Sequence, residues 1–242
     1  MTKVRFVPVL AALLFVAACG ENGGPTAGGS TGGPTARVRF FNATMGMAGS
    51  GGFTTNGQFA TGSALPFGQS TQTCATVAAG STALGFGAAN TGGTGLSGTA
   101  LATLNDQSIT AGGSYTVMAT GSAASPRLFM LDNKFSGTLA TSQAAVRLVN
   151  LAPGTGTTPN TFVAWAGGIG AGAPVAIDME VGAATTYRTV TSGANTFALL
   201  QNPGHIIASP GTAVTLQAGT VNTLAIVPTT SGGVQLVVVP GC

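Results

Sequence analysis

Residues 36–44 read ARVRFFNAT, and residues 144–152 read AAVRLVNLA. Setting Val38-Arg39-Phe40-Phe41-Asn42 against Val146-Arg147-Leu148-Val149-Asn150 gives an offset of 108 residues. A second match follows: TCATVAAGSTAL, ending at Leu84, against TYRTVTSGANTF, ending at Phe197. It pairs Val77 with Val190 and Gly80 with Gly193 at an offset of 113. A third sets Ala111-Gly112 against Ala218-Gly219, offset 107, each opening an apolar alternating run (Tyr115 to Ala119; Leu224 to Val227). Three matches in the same order point to two copies of one unit of about 100 residues, the usual size of a sandwich domain. At that period each unit is long enough to close its own core, unlike the short repeats of a solenoid.

Composition decides what kind of unit this is. Charged residues make up 5% of the 242-residue chain and hydrophobic ones 44%, while Gly numbers 39. A helical protein of this size would coat its outer faces with Glu, Lys, Arg and Gln, yet the only lysines are Lys3 and Lys134 and the only glutamates Glu21 and Glu180. Short runs rich in Thr, Val, Ser and Gly, broken by turn residues, suit strands with a hydroxylated outer face. The fold class read from this is all-β: two tandem immunoglobulin-like or transthyretin-like β-sandwich domains, at 36–138 and 144–242, with the seam near Phe135 to Ala144.

The openings ARVRFFNAT and AVRLVNLAPGTG, the central CATVAAGSTAL and YRTVTSGANTF, and AGGSYTVMATG with RLFMLDN resemble the tandem domains of the bacterial domain of unknown function 4397 family. The resemblance covers residues 36 to 242. It implies extracytoplasmic, often lipid-anchored β-sandwich domains and carries no defined activity. The chain departs from the pattern where Cys74 stands opposite Tyr187 and where GSGGFTTNG replaces the usual strand-forming run.

The N-terminus has the parts of a secretory leader: Lys3 and Arg5, an apolar stretch from Phe6 to Phe15, then small residues. Its apolar run is shorter than the ~20 residues a membrane-spanning helix needs. Val16-Ala17-Ala18-Cys19 looks like a bacterial lipobox, so residues 1–18 are read as a lipoprotein signal peptide and Cys19 as the acylated new N-terminus. The alternative is an ordinary signal cleaved near Ala18, which would leave Cys19 an exposed thiol. Two or more acyl chains give stable anchoring without a spanning segment. Gly20, where inner-membrane lipoproteins often carry Asp, resembles sorting to the outer membrane. After Cys19, residues 20–35 continue as GENGGPTAGGSTGGPT, so that 19–35 is the lipidated Cys with a linker too polar to order itself and expected to reach roughly 20–25 Å.

Losing the leader changes the charge balance. The formal +3 falls to six cations (Arg37, Arg39, Arg127, Lys134, Arg147, Arg188) against Glu21, Asp106, Asp132, Asp178 and Glu180. With no basic cluster and no interleaved aromatics, nucleic acid is not an expected partner. The cysteine count changes too. With Cys19 acylated, Cys74 and Cys242 remain, an even pair in an oxidising compartment, expected as a disulfide between the two units. Two separate thiols are the other reading.

Catalytic chemistry is nearly absent. His205, in QNPGHIIASP, is the single histidine and has no Asp or Glu within 20 residues, so neither a protein-ligated zinc site nor a Ser-His-Asp triad is expected. Asp178 and Glu180, in AIDMEV, would share one face of a strand, where a solvated outer face accounts for them as well as a cation site does. GTGLSG at 93–98 matches G-x-G-x-x-G, but roughly one such match is expected by chance in so glycine-rich a chain, and it reads as a loop. Arg39 and Arg147 recur at equivalent strand positions, which points to a structural contact such as a loop carbonyl. Trp165, the single tryptophan, is either core or a sugar-stacking platform.

The expectation is therefore a protein with no enzymatic activity, no cofactor and no metal. It would be a membrane-anchored surface lipoprotein of the outer membrane with a structural, adhesion or display role, meeting glycans or envelope proteins. The alternative is a carbohydrate-binding module centred on Trp165 and the loops around Gly167 to Gly172.

Overall fold

The structure, a computed structural model, describes residues 33–152, 161–166, 179–202, 212–231 and 233–242. Residues 1–32, which hold the expected leader, Cys19 and most of the expected linker, lie outside them. Within them the chain is all-β and no helix occurs. The N-terminal unit runs β1 (Thr35–Met45), β2 (Gly51–Thr55), β3 (Gln58–Phe59), β4 (Gln69–Ser70), β5 (Ala75–Ala78), β6 (Gly80–Ala88), β7 (Ala102–Ile109), β8 (Ser114–Ser122) and β9 (Ser125–Asp132). The C-terminal unit runs β10 (Gln143–Asn150), β11 (Thr161–Ala166), β12 (Arg188–Thr191), β13 (Gly193–Asn202), β14 (Thr212–Leu216), β15 (Val221–Pro228) and β16 (Val234–Pro240).

Each unit is a sandwich. In the first, a sheet ordered β4-β1-β8-β9, with β5 also on β1, faces a sheet ordered β3-β2-β6-β7. In the second, β12-β10-β15-β16 faces β11-β13-β14. The opening strand of each unit lies parallel to the strand that begins the last hairpin, β1 with β8 and β10 with β15. Alternation puts Val38 and Phe40 between the sheets of the first unit, where Phe53 lies 5.0 Å from Phe40 and 4.8 Å from Phe86, ring centre to ring centre. The second unit uses Val146 and Leu148 in the same way, against Phe197, Leu199 and Leu216. A fully buried side chain of this size is worth about 1.5–3 kcal/mol, so each core is substantial.

The repeat extends to backbone detail. Gly80 and Gly193 turn the corner into β6 and β13 at φ of 120° and 99°, a region open to glycine and costly for other residues. Gly112 and Gly219, at 71° and 74°, donate their amides to Thr35 and Gln143, themselves 108 apart.

The stretch GSGGFTTNG does form a strand, in spite of its glycines. Gly51 and Gly52 are required by their surroundings: a Cβ on Gly51 would stand 2.4 Å from the Phe86 ring, and one on Gly52 2.4 Å from the Phe59 ring. Asn56-Gly57, both at positive φ (49° and 77°), make the two-residue turn from β2 into β3 that such a pair favours. The loop holding GTGLSG bridges back through Ala89 and Leu96 and lies over the outer face of this sheet. There Leu96 packs against Gly52 and Gly87, whose missing side chains leave room for it.

The two sandwiches meet face to face. β1 and β10 are buried on both sides, because the residues that point away from each core form a third cluster: Phe41, Ala43 and Met118 against Val149, Leu151, Ala225, Val227 and Val239. The Thr120 hydroxyl donates to the Leu151 carbonyl across this seam. Gly182, at φ 87°, lets the C-terminal unit approach Phe129 so closely that a Cβ there would stand 2.1 Å from the ring. Changing Gly182→Ala should therefore cost about 2 kcal/mol or more, from backbone strain and overpacking together. Gly182→Ala leaving the urea midpoint unchanged would contradict this tight seam.

Candidate functional site

The repeated Val-Arg-x-x-Asn stretch fastens loops to its strand. Asn42 donates from Nδ2 to the Leu65 carbonyl at 2.8 Å and accepts the Thr44 amide at 2.9 Å. Asn150 makes the same pair with the Met179 carbonyl (2.7 Å) and the Ala152 amide (3.0 Å). Thr71 and Thr185 take matching places: their amides donate to Phe40 and Leu148 carbonyls, and their hydroxyls accept the Phe40 and Leu148 amides.

The two arginines lie on the sheet faces that meet at the seam, 8% and 6% exposed. Burial lowers the pKa of both, and the neighbouring Arg37 charge adds to this at Arg39. A buried guanidinium stays protonated and so has to be met by oxygen atoms. Arg39 turns to its own unit, donating from Nη1 to the carbonyls of Thr71 and Gln72. Arg147 turns to the other unit. Its Nη1 and Nη2 donate to the Asp132 carbonyl and the Asn133 side-chain oxygen, both at 2.6 Å, and its Nε donates to the Thr223 hydroxyl at 3.0 Å. It also stacks over the Tyr187 ring at 4.7 Å, and Phe135 meets that ring edge-on. Burial holds the Tyr187 phenol above its usual pKa against the pull of Arg147, so the arginine rests on a neutral ring.

On the other side of the seam, the place of Tyr187 is taken by Cys74, which is bonded to Cys242 with the Cα atoms 6.0 Å apart. The tail of each unit thus docks beside the arginine strand of its neighbour. One junction is held by hydrogen bonds and a stacked ring, the other by a covalent bond closing over 168 residues.

Arg39 and Asn42 together fix both ends of the segment from Leu65 to Gln72. That segment and its continuation through Thr76 wall an open groove of about 1000 Å³. Its lining is rich in hydroxyl and amide groups, among them Thr61, Ser63, Gln69, Gln72 and Thr73, with half-buried Phe67 and the single cation Arg37. Among the described residues no carboxylate lines it. Thr61 is 8% exposed, and its hydroxyl is buried with no hydrogen-bond partner among the described residues.

The other residues singled out from sequence fall elsewhere. Trp165 pairs with Ala198 in the β11–β13 ladder, while its side chain, the loops from Gly167 to Gly172, Asp178 and His205 lie outside the described residues. Glu180 is exposed in a segment that is not a strand, directly after the buried Met179, so the shared strand face drawn for Asp178 and Glu180 is not formed at Glu180. Among the described residues no three of His, Cys, Asp and Glu come together as a metal site.

With this geometry in place, the comparison with known families can be read. The model for a domain of unknown function (DUF4397) matches residues 36–158. The chain belongs to the DUF4397 family. The match begins on the first Val-Arg-x-x-Asn strand and runs through the second, so the two strands that carry the buried arginines bracket the DUF4397 region. No curated protein matches the chain.

Replacing Arg147→Lys should destabilise the protein by about 1.5–3 kcal/mol, since the single nitrogen of an ammonium cannot reach the three oxygens that the separate guanidinium nitrogens meet, nor lie flat on the ring. The Cys74→Ser/Cys242→Ser double variant should lose about 2–5 kcal/mol, the range expected when a long loop is opened. Chemical unfolding of each variant against wild type checks both.

Proposed function

We propose that the protein is a non-catalytic, lipid-anchored extracytoplasmic protein in which acylated Cys19 holds a rigid pair of sandwiches at the outer membrane, where they serve adhesion, envelope structure or display. The observation that carries this reading is the Cys74–Cys242 bond, since such a bond persists in oxidising compartments and is rare in reducing ones. The leader and lipobox at 1–19 agree with that address. The core geometry agrees with the role: two units locked face to face by an apolar seam, a buried arginine clamp and a covalent tie make a stiff body suited to bearing contacts.

A carbohydrate-binding role is the second reading. What favours it is the hydroxyl-lined groove of the N-terminal unit, with Phe67 as an aromatic surface.

Metabolic labelling with a fatty-acid probe, combined with membrane fractionation, tests the anchor. Wild type should be labelled and sediment with outer membrane, and Cys19→Ala should be unlabelled and released. Soluble, unlabelled wild-type protein would overturn it.

A further inference from the structure

We propose that the groove between Ala60 and Thr76 binds an oligosaccharide bearing a carboxylate, with the carboxylate at Arg37 and a sugar ring on Phe67. This deepens the carbohydrate-binding reading, on which it rests, by naming the class of sugar, and it draws on the anchored, adhesive setting only for its biological context.

Three observations carry it. First, the groove's volume of about 1000 Å³ lies at the upper end of small-ligand sites, which suits a chain of rings better than a single one. Second, its lining is mixed: Ala64, Leu65, Pro66 and one half-buried aromatic ring, Phe67, share it with the side-chain hydroxyls and amides of Ser63, Gln69, Gln72 and Thr73. A sugar ring offers the matching chemistry: C–H groups on its face for the aromatic surface, and hydroxyls at its edge that both donate and accept. Third, Arg37 is exposed and, among the described residues, is the single charged residue of the lining and makes no ion pair. A carboxylate is the planar partner that a guanidinium fork fits.

The groove is also held in shape before anything binds. Asn42 pins its wall at Leu65, Arg39 pins it at Thr71 and Gln72, and Cys74 ties its far end to the last residue of the C-terminal unit. Less ordering is then left for the ligand to pay on binding. Arg147, the counterpart of Arg39, is spent on the seam instead, so the walls of the N-terminal groove depend on a use of the repeated arginine that the second unit does not share.

The test is calorimetric titration of the full chain, in a detergent without a sugar headgroup, with a hexuronate tetramer, a neutral hexose tetramer and a tetraglutamate peptide. The hexuronate should bind, with an affinity that falls as salt rises. Arg37→Gln and Phe67→Ala, both outside the cores, should each weaken it by about tenfold while leaving the thermal unfolding temperature unchanged. The Cys74→Ser/Cys242→Ser variant should weaken it as well, through a looser wall. Absence of hexuronate binding overturns the assignment, and so does binding that survives both Arg37→Gln and Phe67→Ala. Equal binding of the neutral tetramer overturns the carboxylate contact, and equal binding of tetraglutamate overturns the sugar. Each result is independent of whether Cys19 is acylated, so failure here is distinguishable from failure of the anchor.

Discussion

A guanidinium placed between two β-sheets cannot lose its proton and cannot be left without oxygen partners, and this chain places one in each half. Arg39 and Arg147 project from β1 and β10 toward the seam, among Phe41, Ala43, Val149 and Leu151. The rest of the architecture follows from which oxygens each meets, and they differ: Arg147 bonds from all three nitrogens, whereas Arg39 bonds from Nη1 and its Nε has no partner among the described residues. Arg147 takes its oxygens from the end of β9 and from β15, so the tail of the first unit is drawn across the second. Arg39 takes backbone carbonyls from its own loop at Thr71 and Gln72, which leaves the tail of the second unit to be held by another means, and Cys242 supplies it. One repeated residue thus yields a pseudo-symmetric body with two unlike junctions.

Much of the fold was legible because it is written twice. Recurrence singled out Arg39 and Arg147 and paired Gly80 with Gly193 and Gly112 with Gly219. Two features were hidden for physical reasons. The parallel pairing of β1 with β8 joins residues far apart in the chain and leaves no local pattern. The strand at Gly51–Thr55 looks like a loop because its glycines answer to Phe86, Phe59 and Leu96, neighbours that only the folded chain brings close.

The site was far less readable. Threonine, serine and glutamine are spread along the whole chain, so nothing in composition separates the run from Thr61 to Thr76 from any other hydroxylated stretch. What distinguishes it is that Asn42 and Arg39, two of the residues the repeat had already exposed, are the ones that hold it. The signal lay in the pins, and the groove they shape lay in a segment with no periodicity of its own.

The position of the disulfide also decides how the protein answers to mechanical load. Tension applied between Thr35 and the C-terminus leaves the backbone at Cys74, crosses the sulfur atoms and emerges at Cys242. The covalent chain from Ala75 to Gly241 is bypassed and cannot be drawn out while the bond holds. Only the segment from β1 to Cys74 can be drawn out, and β1 is held along its length by β8, β4 and β5, so that their hydrogen bonds are strained together before any length is released. The single covalent crosslink makes the chain short to a pulling force and keeps the C-terminal sandwich from being drawn out by it.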